Sequence, residues 1–193
     1  MTTEALLVMD VQNGVVDHFG EQSPRLLVTL ADAVAAARSV RTPIIFVRVA
    51  FRSGAPEVSP KNLAFSTYLG SDALGETDHT TQVHPAVAPQ SGEIVVTKRR
   101  VSAFSGSDLH LVLRSLGVDS LVLTGIATSG VVLSTLREAA DLDYVITVLR
   151  DGCLDRDEEV HRVLMDTVFP RQASVVFVAE WIAGISANPR GSS

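Results

Sequence analysis

Cysteine is nearly absent from this chain: Cys153 is the only one among 193 residues. A single thiol excludes an internal disulfide and a Cys-rich zinc site, and it fits a reducing cytoplasm. Excess positive charge is also missing. The formal net charge is −6, which argues against non-specific nucleic-acid binding, since that needs a basic surface. No apolar run approaches the roughly 20 residues that span a bilayer. No basic-then-apolar leader is expected either, because MTTE runs directly into a strand-like segment. There is no internal repeat, no heptad seam and no composition shift marking a second domain. What remains is ordinary for a globular chain: 46% hydrophobic and 20% charged, with enough length for one full-sized core.

Along the chain, short apolar runs alternate with helical periodicity. ALLVMD (5–10) reads as a strand buried on both faces. Residues 24–39 carry apolar side chains at helical spacing behind Ser23 and Pro24. Further strands are expected at 43–50, 93–98, 119–124, 144–149 and 174–178. Further helices are expected at 107–116, 130–142, 155–169 and 179–184. Residues 51–92 are rich in Gly, Pro, Ser and Thr, and a loop of that length is more often functional than idle. This alternation predicts a three-layer α/β/α fold around a central, mostly parallel six-stranded sheet. A single domain is expected over 1–185, with 186–193 a disordered tail.

Three strand ends carry residues suited to chemistry. Asp10 closes the first strand, where burial raises a carboxyl's proton affinity and a cation lowers it. It also has a plain reading as the first residue of a turn in DVQNG. Lys98 closes the third strand and heads a Lys98-Arg99-Arg100 triplet. The triplet is either a solvated strand exit or the source of an ion pair with Asp10. The third feature is the GIATSG turn between a strand and a helix. Gly125 and Gly130 permit close backbone approach there, and amides from Ala127 to Val131 would point at a substrate oxygen. Thr128 or Ser129 would otherwise serve only as a helix cap. His79 and His84 are too few for a metal site. Cys153 is expected to be buried and inert, and His161 structural. Ser129 and Ser134 have no His placed locally to activate them. Phe19, Phe51, Phe65, Tyr68 and Phe104 are candidate pocket walls.

Together these segments resemble the isochorismatase-like hydrolase superfamily, the cysteine hydrolases. LLVMDVQNG is similar to its opening strand, VVTKRRVSAFSGSDL to its Lys strand, LVLTGIATSGVVLSTLREAADLDY to its nucleophile turn and helix, and RDGCLDRDEEVHRVLMDTVFP to its C-terminal helix segment. The resemblance implies that Asp10 is the acid/base and Lys98 the activating cation. It implies a cis peptide at Ile126–Ala127 that turns the Ala127 and Val131 amides toward one oxygen. It also puts the nucleophilic Cys where this chain has Val131. The Asp-x-His metal motif of nicotinamidase-type members is replaced by RVAFRSG, so neither metal nor cofactor is expected.

The resemblance then points to a hydrolase without the Cys nucleophile, acting on a small molecule such as an enol ether. Asp10 would donate the proton, and Lys98 would steer a substrate carboxylate or stabilise charge. Gln12, Phe19 and Phe104, with Ala127 and Val131, are the expected substrate contacts. A homodimer or homotetramer is implied. The alternatives are an inactive pseudo-enzyme that binds a small carboxylate or amide, and an amidase using Ser129 or Thr128.

Overall fold

The computed structural model describes residues 3–187. Its frame is a six-stranded, all-parallel sheet of β1 (Glu4–Met9), β2 (Ile44–Val49), β3 (Ile94–Lys98), β4 (Ser120–Ile126), β5 (Val145–Leu154) and β6 (Ser174–Val176), in the spatial order β3-β2-β1-β4-β5-β6. The chain lays down β1, β2 and β3 outward in one direction. It then returns to place β4 on the other side of β1. In open α/β sheets the crevice at such a reversal, above the carboxyl ends, is where ligands bind.

Helices cover both faces. They are α1 (Asn13–Phe19), α2 (Ser23–Ser39), α3 (Leu109–Ser115), α4 (Leu133–Asp141), α5 (Glu158–Val163) and α6 (Val178–Ala187). Because side chains alternate along a strand, β1 feeds two separate cores. Ala5, Leu7 and Met9 join one with Leu109, Leu113, Leu136 and Phe169. Leu6 and Val8 join the other with Leu26, Leu30, Val34 and Trp181. That is why ALLVMD is apolar throughout rather than alternating.

Several expected boundaries move. Residues 13–19 form α1, although DVQNG reads as a turn; the chain is extended at Gln12 and becomes helical at Asn13. β5 continues to Leu154 through the polar Arg150-Asp151-Gly152, past a register shift opposite Leu123 and Gly125. The helical stretch after Asp157 is α5 followed by a wider turn at Leu164–Val168. α6 extends to Ala187, so the first two residues expected in a disordered tail are helical. The other six, 188–193, lie outside the described residues.

The long connection 51–92 holds only short one-turn helices, yet it is built around its own apolar cluster. Val49, Phe51, Ala55 and Val58 are buried together, with Phe65, Tyr68 and Leu74 against them. The Phe51 and Phe65 rings meet edge to face at 5.4 Å, a favoured aromatic geometry. No helix among the described residues is long and apolar enough to cross a membrane.

One glycine holds the centre of the fold together. Gly125, near the end of β4, has a φ of +133°. A Cβ built there would lie 2.0 Å from the Met9 carbonyl oxygen. Its lack of a side chain lets β4 close on β1 at the switch point. Gly125→Ala is therefore expected to lower stability by about 4 kcal/mol or more, the range reached when backbone must move in a core. Chemical denaturation would read this, and a loss below about 1 kcal/mol would show that β1 and β4 separate easily.

Candidate active site

Asp10 follows directly on β1, and its φ of +55° lies in the left-handed region, which Asp tolerates better than most residues. Lys98 is the last residue of β3. β2 lies between the two strands, and the side chains meet above it, Lys98 Nζ to Asp10 Oδ2 at 2.9 Å. Lys98 is only 1% exposed and Asp10 is also buried. An ion pair so fully removed from water persists only with further polar support. Here the Lys98 ammonium also donates to the carbonyls of Arg100 at 2.9 Å and Val101 at 3.0 Å.

These contacts correct the expected role of Lys98. An ammonium has three protons, and all three are engaged by the protein. The residue tunes Asp10 and ties down the 98–101 chain rather than reaching for a substrate carboxylate. Asp10 is differently placed. Its Oδ1 is buried with no hydrogen-bond partner. Burial outweighs the Lys98 ammonium and holds the carboxyl above the usual carboxylate range. One oxygen is thus anchored and the other is free to carry a proton.

The third element is the turn after β4. The Ile126–Ala127 peptide is cis. Residues Thr128–Val132 make one wide helical turn, interrupted at Gly130 (φ −95°, ψ −105°), before α4 begins. Val131 is 2% exposed and packs into the same apolar core as Met9 and Phe104.

Other expected site residues take up different tasks. Gln12 is the clearest correction. Its Nε2 donates to the carbonyls of Val49 and Thr81, both at 2.9 Å, and its Oε1 accepts from the Val49 amide at 2.8 Å. The amide braces the long loop against β2, with both of its polar atoms engaged by the main chain. Phe104 stacks on Tyr144 with centroids 6.0 Å apart, a core position. Phe19 is partly buried beneath the Arg156 guanidinium, 5.9 Å from its centroid. His79 is 3.2 Å from the Asn13 side-chain nitrogen, while His84 Nδ1 accepts from the Ala86 amide. Arg99 bonds the Ala50 carbonyl and pairs with Glu57 and Glu76, so the basic triplet is a built network rather than a solvated exit. Cys153 sits within β5, and burial pushes its thiol up.

The reading also missed a contact. His161 Nδ1 lies 2.8 Å from Thr128 Oγ1, and Asp155 Oδ2 accepts from the Ser129 amide at 2.6 Å. A His is placed beside the turn after all. Thr128 is fully buried, and its hydroxyl is engaged by His161.

The sheet order and this acid–cation pair define a class: a parallel α/β protein with its chemistry at the β1/β4 switch point. Residues 4–180 match the Isochorismatase domain. The chain is 35% identical over 167 residues to YwoC of Bacillus subtilis, an uncharacterized isochorismatase family protein, covering 86% of each. It is 36% identical over 170 residues to the ureidoacrylate amidohydrolase RutB of Pseudomonas savastanoi, covering 77% of this chain and 69% of that one. Among solved structures, an isochorismatase family protein from Burkholderia thailandensis superposes with a TM-score of 0.85 at 27% identity, over 95% of this chain and 96% of that one. The chain belongs to the isochorismatase family, a family of hydrolases.

Removing Lys98 tests the pair. Lys98→Met leaves Asp10 without its counter-ion and two carbonyls without a donor, and should cost about 3–5 kcal/mol of stability. Urea unfolding measures it. A change under about 1 kcal/mol would mean the pair is effectively solvated.

Proposed function

We propose that this protein hydrolyses a small molecule by acid catalysis from Asp10, with Lys98 assisting and an enol ether as the substrate class. The observation that carries this reading is Asp10 Oδ1, buried and without a protein partner, on a carboxyl whose proton affinity is raised. A carboxyl with raised proton affinity keeps its proton to higher pH, which is what a general acid requires.

The step balances without a nucleophilic residue. Oδ1–H transfers its proton to the terminal carbon of the enol ether, leaving an oxocarbenium ion. Water adds to that ion and returns a proton to the Asp10 carboxylate. The resulting hemiketal collapses to a ketone and an alcohol. Lys98 holds Oδ2, and so keeps the carboxyl oriented and stabilises the carboxylate left after transfer. Amides of the 127–131 turn would bind a carboxylate or carbonyl oxygen of the substrate, because N–H dipoles favour negative charge and would oppose the positive charge that develops on the ether oxygen. Val131, standing where a Cys nucleophile would, offers no atom for a thioester. We place the protein in the cytoplasm as one catalytic domain, without a cofactor, and assembled as a homodimer or homotetramer.

Asp10→Asn should lower the rate of enol-ether hydrolysis by roughly 10²–10⁴-fold. The wild-type rate should fall as pH rises through the raised Asp10 value, because the acid form is the active one. Equal rates in the two proteins would end the mechanism.

A second reading, a binding protein that has lost its chemistry, rests on the resemblance that puts the inert side chain of Val131 at the attacking position. If the amidase frame is otherwise intact, Val131→Cys should gain hydrolysis of ureidoacrylate, the compound in the name of the RutB relatives. Product formation above the wild-type level is the expected result. No gain across a panel of small amides counts against an amidase ancestry for this turn.

A further inference from the structure

We propose that His161 and Asp155 are positioning residues that hold the 127–131 turn in register with Asp10, and that the proton on His161 sets the geometry of this turn. Any effect on rate rests on the acid-catalysis reading above; the effect on the turn does not.

The turn needs outside support. Gly130 departs from helical geometry in the middle of it, and although the Gly130 and Val132 amides bond back to the Ala127 carbonyl at 3.0 and 3.3 Å, the Ser129 amide and the Thr128 hydroxyl are held from outside the turn. Two side chains from a different part of the chain grip it. Asp155, one residue past β5 and buried, accepts the Ser129 amide at 2.6 Å. His161, on α5, meets the buried Thr128 hydroxyl at 2.8 Å. Consecutive residues of the turn are thus held by partners 26 and 33 positions away. A cavity of about 250 Å³, lined by Cys153, Leu154, Asp155, Glu158 and His161, opens beside them and gives water a route to the imidazole.

The His161 bond is directional. A neutral ring with its hydrogen on Nε2 accepts at Nδ1 from the Thr128 hydroxyl. Protonation makes both nitrogens donors. Nδ1 then donates to Thr128 Oγ1, and the hydroxyl hydrogen must swing away. Because Thr128 is adjacent to Ala127 and three residues before Val131, the change is passed along the main chain to both amides. The groups facing the ring set where this happens. Thr128 comes from the turn, Arg150, Cys153 and Asp155 from the β5 side, and Glu158 and Asp166 from α5 and its continuation. Burial and Arg150 push the imidazole below its ordinary value, against the pull of Asp155 and Asp166. The ring is therefore biased toward its neutral form, and in the tautomer with its hydrogen on Nε2 the Thr128 hydroxyl is its donor.

Nuclear magnetic resonance of the ¹⁵N,¹³C-labelled protein between pH 5 and 8 tests this without any substrate. The amide resonances of Ala127, Ser129 and Val131 should move with one inflection, at the pH where the His161 ring itself titrates. In His161→Leu that step should vanish. In His161→Asn, which keeps an acceptor oxygen near the Nδ1 position, the amides should lie close to their neutral wild-type shifts at every pH. Amides that show no step at the His161 titration overturn the proposal, and the wild-type titration alone decides if His161→Leu fails to fold. A kinetic arm follows enol-ether hydrolysis. His161→Leu should lower kcat by about ten-fold, with KM changed less than about two-fold, as expected when reacting groups are misplaced rather than removed. His161→Asn should recover most of that rate. Wild-type protein inert toward enol ethers would sink the acid-catalysis reading, while the resonances would still decide the role of His161.

Discussion

Two opposite charges buried against each other govern this molecule. Desolvating a carboxylate and an ammonium costs several kcal/mol per ion, and the fold compensates only because the acid and the base end two strands that flank a third. Lys98 meets Asp10 at 2.9 Å over the end of β2. Its two remaining protons go to the Arg100 and Val101 carbonyls, so the chain leaving β3 must curl back over its own last residue. The long connection is fastened to the same place by Gln12, which joins the end of β1 to Val49 and to Thr81. Loosening the ion pair would release several segments together.

The chemistry depends on an asymmetry within that pair. Both oxygens of Asp10 are buried, but only one is anchored. A carboxyl satisfied at both oxygens would be a structural counter-ion. A carboxyl satisfied at neither would be driven neutral and left without orientation. The sheet order adds position, because Asp10 follows β1 where the strand order reverses toward β4, the place in open α/β sheets where ligands bind. Gly125 then lets the β4 turn approach as closely as backbone permits.

Much of this was legible along the chain. A run such as ALLVMD needs apolar neighbours on both faces, so β1 and the three-layer architecture could be read from it. The ends of such runs marked Asp10, Lys98 and the glycine turn. Features resting on partners distant in sequence were hidden. The Gln12 amide is engaged by residues 37 and 69 positions away, and nothing in DVQNG announces them. Its turn-forming composition also masked α1, whose Asn13 side chain is held by His79 rather than by a local turn. β5 was cut short because Arg150-Asp151-Gly152 looks like an exit; there Asp151 instead receives the Val178 amide. His161 lies on a short helix with no fully buried side chain, so periodicity gave no hint that it reaches Thr128. The local spacing of polar residues marked the acid and the cation, while the bonds that orient them depend on tertiary closure.

Cys153 gives the scaffold an unplanned use. It is the sole thiol, buried in β5 opposite Gly125 and held in its protonated form by its apolar surroundings. Alkylating reagents attack thiolates, so the native fold slows the reaction by holding the thiol protonated, even though a cavity of about 250 Å³ is lined by Cys153. A maleimide therefore consumes the folded protein slowly, and parting of β5 from β4 raises that rate, with no engineered label required.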